Sequence, residues 1–90
     1  MSVIYKYPLE ITDRQSIAVQ GFESILKVAE QHHNLYMWCI VNPTAGRTTQ
    51  LSVEIVGTGN PMTDIQSKDH FDSVLMSNGL VWHIFIPNLK

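Results

Sequence analysis

Four histidines, one cysteine and eight acidic residues are the groups in this 90-residue chain that could do chemistry. A zinc site needs three or four ligands converging in space. His32 and His33 are adjacent and would face opposite ways on a strand. His70 and His83 flank a hairpin, but on its expected register His83 lies opposite Ser73 or Val74 and His70 falls beyond the end. The plainer reading is two turn histidines, one loop histidine and a His83 held by a hydrogen bond near the core. Cys39 could be a nucleophile with His83 as its base. It sits among Met37, Trp38, Ile40 and Val41, however, where burial raises a thiol pKa and leaves it inert. The carboxylates Glu10, Asp13, Glu23, Glu30, Glu54, Asp64, Asp69 and Asp72 show no paired spacing on one element. No catalytic residue, metal or cofactor is expected, and the chain reads as a non-enzyme.

Gly57-Thr58-Gly59 follows a strand-like run, but a dinucleotide fingerprint wants a third glycine where Met62 stands. A tight turn using glycine's positive φ accounts for it. Tyrosine suits interfaces because one end is apolar and the other wet. Tyr5 and Tyr7 are therefore candidate partner-binding residues, with the loop residues Arg47, Thr48 and Thr49; Trp38 and Trp82 are expected in the core.

Net charge is −2, and the six basic residues are scattered. Phosphate binding needs clustered Lys and Arg, so nucleic acid is not expected as a direct ligand. A hydrophobic fraction of 44% with 16% charged residues marks a folded chain of one domain, 1–90. So little charge on a small domain also hints at apolar surface covered by a partner or a second copy. One cysteine excludes an intrachain disulfide. No signal peptide or membrane helix is legible, so the expected setting is cytosolic.

These side chains must be positioned by short strands. Val3-Ile4-Tyr5-Lys6-Tyr7 alternates and is bounded by Pro8, as near an edge; residues 16–19 form a second short strand. Residues 22–31 are ambiguous: Phe22, Ile25, Leu26 and Ala29 fit a helical stripe, whereas Leu26 to Glu30 alternates. Strand over 24–31 is preferred, turning at His32-His33-Asn34 into the apolar run 35–41; a helix would make the fold α+β. After the loop at 42–49, residues 50–56 alternate with Leu51, Val53 and Ile55 inward. Thr63 and Gln66 have capping-box spacing, which predicts a helical turn over 64–69. Asn78-Gly79 between two apolar runs predicts a type I′ hairpin. Its second strand, 80–86, is apolar on both faces apart from His83 and belongs inside a sheet. Pro87 stops it, and 88–90 read as a frayed tail. The fold class is mainly β: a small antiparallel sandwich or half-open barrel of about six or seven strands.

Several blocks together carry a resemblance. They are Ile4-Tyr5-Lys6-Tyr7-Pro8-Leu9 with Thr12-Asp13, Trp38 with Val41-Asn42-Pro43, Ile55-Val56-Gly57-Thr58-Gly59-Asn60-Pro61, and Gly79-Leu80-Val81-Trp82-His83-Ile84-Phe85. The chain resembles a family of very short bacteriophage and prophage proteins without an assigned biochemical role. In that family the position of Asn60 is often His and that of Asn42 often Asp, so an activity resting on that His would be missing here. The resemblance implies a phage protein in the host cytoplasm. The expected function is non-enzymatic: binding and inhibiting a host protein, such as a defence system in the manner of an anti-CRISPR. Two alternatives stand beside it. One is an oligomeric sponge for a small nucleotide signal, with Arg47, Thr48 and Thr49 between copies; the other is a minor virion component.

Overall fold

The computed structural model describes residues 1–89, and among them alternation has become seven antiparallel strands in two sheets. Strands β1 (Val3–Leu9), β4 (Asn34–Val41) and β3 (Phe22–Gln31) form one sheet in that order. Strands β2 (Arg14–Gln20), β5 (Thr48–Gly57), β7 (Val81–Phe85) and β6 (His70–Leu75) form the other. The sheets face each other across Val19, Val28, Leu35, Met37, Val41, Leu51, Val53 and Ile84, all buried. The expected β sandwich is thus what forms. Burying one face of each sheet is the driving term, at about 25 cal/mol per Å² of apolar surface.

Residues 22–31 are strand, not helix. Two irregularities explain the helix-like spacing: β3 shifts register between Phe22 and Ser24 and again between Ile25 and Lys27. Each inserts a residue, so Phe22, Ile25 and Val28 all come opposite core-facing residues of β4, three residues apart. The β3–β4 turn has His32 and His33 at φ 53° and 69°, the positive pair a type I′ turn requires.

The closing hairpin turns differently from expectation. Only Gly79 has positive φ (89°); Asn78 does not. Gly79 N–H donates to Met76 O at 2.9 Å and Met76 N–H to Leu80 O at 2.8 Å. Ser77-Asn78-Gly79 is therefore a three-residue loop, a turn followed by a left-handed glycine. Leu75 consequently pairs with Val81 and Ser73 with His83. As expected, β7 is interior, between β5 and β6.

Other boundaries also move. Pro8 does not end β1 but lies within it, where an edge strand tolerates a missing donor. The helical turn over 64–69 shrinks to a 3₁₀ turn, Ser67–Asp69, with no side-chain cap; Asp64 at φ 59° breaks it from Thr63. Asn88 is tied to β5, accepting from Ser52 N–H at 3.0 Å and donating to Gln50 O at 2.7 Å. Lys90, the last residue of the expected tail, lies outside the described residues. Trp38 is half-buried on the outer face of β4 and not in the core.

Candidate functional site

The two outer faces of the sandwich are built differently. On the four-stranded sheet, Arg14 of β2 pairs with Glu54 of β5. Its Nε donates to Glu54 Oε2 at 2.7 Å, and its Nη2 donates to Thr63 O at 2.8 Å. The segment 58–69 is thereby drawn toward this edge, and Glu54, 8% exposed, keeps a partner. The Glu54 hydrogen bond, with the charges of Glu54, Asp64 and Asp13, holds the guanidinium above its ordinary pKa.

Farther along that face four side chains form one hydrogen-bonded chain. His70 Nε2 lies 3.0 Å from Ser73 Oγ, Ser73 Oγ 2.7 Å from His83 Nδ1, and His83 Nε2 2.8 Å from Thr58 Oγ1. The topology explains the meeting. Ser73 and His83 are cross-strand partners. A register shift between His70 and Asp72 makes Phe71 an extra residue, so His70 and Ser73 share a face although three apart. His70 also stands edge-on to Phe85, with ring centroids 5.3 Å apart. Phe85 is 5% exposed.

At one end of the sandwich, Ile11, Asp13, Arg14, Asn60, Ile65 and Trp82 are among the walls of a cleft of about 860 Å³. Gly57 lets Trp82 close its floor, since a Cβ there would lie 2.9 Å from Trp82 Cζ3.

The outer face of the three-stranded sheet is open and apolar. Across β1, β4 and β3 the rows run Ile4–Ile40–Ser24, Lys6–Trp38–Lys27 and Pro8–Tyr36–Ala29. Lysines flank Trp38 on both sides. Leu26, carried at the second β3 irregularity, is 50% exposed, and Ile4 is 59% exposed. With Trp38 they line a groove of about 550 Å³. Lys6 Nζ sits 4.5 Å from the Tyr36 ring centroid and donates to Gln31 Oε1 at 2.7 Å.

A family model described as a domain of unknown function, DUF7352, matches residues 1–89. The chain belongs to that family. No curated protein and no solved structure matches it. The residue assignments for this DUF7352 chain therefore stand on its geometry.

The structure places the sequence-chosen residues apart. Tyr5 is exposed on edge strand β1, while Tyr7 packs partly against the core, and burial raises its pKa. Arg47 precedes β5; its Nη2 donates to Phe22 O at 2.9 Å and its carbonyl accepts from Gly21 N–H at 2.8 Å. Thr48 and Thr49 open β5, paired with Gln20 and Val19. Arg47 thus holds a crossover between sheets. Nothing in the sequence marks Leu26 and Lys27 as surface or joins His70, Ser73, His83 and Thr58, because both depend on extra residues in β3 and β6. Cys39 is buried, its thiol pushed up to about 11 by desolvation. Among the described residues, no three His, Cys, Asp or Glu side chains gather as a metal site requires. No helix among them is long and apolar enough to cross a membrane.

Proposed function

We propose that this DUF7352 protein is an interaction module that docks on another protein, without catalysis at that surface, through the outer face of its three-stranded sheet. The observation that carries the reading is Trp38 between Lys6 and Lys27, with Ile4 and Leu26 exposed beside it. Apolar anchors around a half-buried tryptophan are what a binding surface offers; a surface with no partner is better off polar. The two lysines call for an acidic partner surface bearing its own apolar anchors. A symmetric pairing of this face would set lysine against lysine, so a second copy fits less well. The resemblance to phage proteins makes the partner a host protein, and inhibition of a host defence the purpose of docking. Tyr5, level with core-facing Cys39, points to the opposite side of β1 from Ile4 and Lys6 and so lies outside this face.

The test compares two sets of variants, all recovered by tag from bacterial lysate. Ile4→Glu with Leu26→Glu should lose a partner that wild type holds in near-equal amount. Arg47→Ala with Thr49→Ala should keep it. Loss only in the second pair would move the surface to the loop before β5.

A second reading rests on the cleft beside Trp82. Its volume and its mixture of apolar walls with Asp13, Arg14 and Asn60 are those of a small-ligand site. A small molecule released on denaturing protein purified from infected cells, and absent with Trp82→Ala, would favour it.

A further inference from the structure

We propose that Ser73 is a base-activated nucleophile that accepts acyl groups from simple esters, on the face of the sandwich opposite the docking surface. A serine hydroxyl is a weak nucleophile until a base takes its proton. Ser73 Oγ has an imidazole nitrogen on each side, His83 Nδ1 at 2.7 Å and His70 Nε2 at 3.0 Å. Ser73 is exposed, so an electrophile can reach its oxygen, while His83 is half-buried behind it. The second ring nitrogen of His83 is held by Thr58 Oγ1 at 2.8 Å.

The proposal uses the tautomer of His83 that leaves Nδ1 free to accept, one of the two that these distances admit. His83 carries its proton on Nε2 and donates to Thr58 Oγ1. Its Nδ1 lone pair then accepts the Ser73 O–H, and His70 Nε2–H donates to the second lone pair of Ser73 Oγ. Thr58 is thus a positioning residue: when its oxygen accepts from Nε2–H, His83 presents its Nδ1 lone pair to Ser73, the orientation a carboxylate holds in a serine–histidine triad. The extra residue at Phe71 is what aims His70 into the chain, and such irregularities often re-aim side chains at active sites.

The reaction balances without an external redox partner. Ser73 Oγ forms a bond to the ester carbonyl carbon as its proton passes to His83 Nδ1. The imidazolium is held by Thr58 Oγ1. Collapse of the tetrahedral adduct breaks the bond to the leaving oxygen, which takes the proton from His83. Water then attacks the acyl-serine, giving its proton to His83 Nδ1. Ser73 Oγ leaves with that proton and the acid is released.

The test uses a fluorophosphonate, with which serine forms a stable phosphorus ester and releases fluoride. Mass spectrometry of digested protein locates the adduct. One adduct at Ser73 is expected, absent in Ser73→Ala and formed about 100-fold or more slowly in His83→Gln. Thr58→Val should slow it and Thr58→Ser should restore it, with the thermal melt of Thr58→Val unchanged, which a merely structural hydroxyl would not allow. Ser73→Ala removes an exposed hydroxyl and keeps all four histidines, so it separates serine chemistry from direct attack by imidazole. A thermal melt of each variant checks the fold. No adduct at Ser73 in folded wild type, or labelling spread equally to the exposed Ser16, would overturn the assignment.

Discussion

At Gly21 the chain passes from one sheet to the other beside a second crossover. Its φ is +67°, and a Cβ there would lie 1.8 Å from the carbonyl oxygen of Asn42. That oxygen belongs to backbone and cannot swing aside, because Asn42 N–H is itself bonded to Gly21 O at 2.8 Å. Gly21→Ala should therefore cost about 3 kcal/mol or more, read as a lower urea midpoint. Gly46→Ala, in the neighbouring loop with nothing within 4 Å, should leave the stability within about 0.5 kcal/mol of wild type. Cys39 gives a pH-dependent counterpart. Desolvation raises its pKa from 9.0 to about 11, so the folded state holds this proton more tightly than the unfolded chain. The resulting stabilisation is complete below the ordinary thiol pKa and is lost as pH climbs from about 9 to about 11. At about 1.36 kcal/mol per pKa unit the loss approaches roughly 3 kcal/mol. Denaturation curves at pH 8 and 11 should show Cys39→Ala, though less stable at pH 8, losing less on the way up. An identical drop in both proteins would contradict the burial argument.

The β3–β4 turn shows how an element can be right in sequence yet suboptimal in chemistry. His32 and His33 both hold positive φ, a region that costs most L-residues about 1–2 kcal/mol. His32→Asn with His33→Gly supplies the favoured type I′ pair and should raise stability by about 1 kcal/mol, about 4–8 °C in Tm for a domain of this size. The gain is net of the exposed His33–Ser77 contact. A lower Tm would mean that contact matters more than backbone strain. Element existence was legible because burial on one face forces alternation, as in β5, and burial on two faces forces β7's apolar run, interrupted by His83 alone. Extra residues were not legible. In β3 they set Phe22 and Ile25, two residues of the helix-like stripe, on the core face three apart, and in β6 they brought His70 beside Ser73. The turn at Gly79 shifted the last hairpin by one residue for the same reason: alternation says nothing about where a backbone takes an extra step. Trp38 was misplaced because β4 is apolar on both faces, leaving sequence no way to say which face meets the core.

Across the whole molecule the two outer faces differ in what covers them. One has the drawn-in segment 58–69, fixed by Arg14 and Glu54, and carries the serine–histidine chain; the other leaves three strands bare. A bare apolar face lowers solubility, so a protein that keeps one should become easier to handle when the face is made polar. Ile4 and Leu26 are about half exposed or more, so replacing each with Glu removes little buried area. The double variant should melt within a few degrees of wild type while dissolving at higher concentration and losing its partner. Charge reversal separates docking from mere stickiness. Lys6→Glu with Lys27→Glu keeps Ile4, Leu26 and Trp38 in place, yet should weaken binding to an acidic surface by about tenfold or more and reverse the effect of added salt. Wild-type binding should weaken as salt rises, because exposed charge pairs are screened within about 10 Å at 0.1 M. If charge reversal left affinity and salt response unchanged while the Glu substitutions at Ile4 and Leu26 abolished binding, the apolar face would be the docking surface without the acidic partner that its lysines imply.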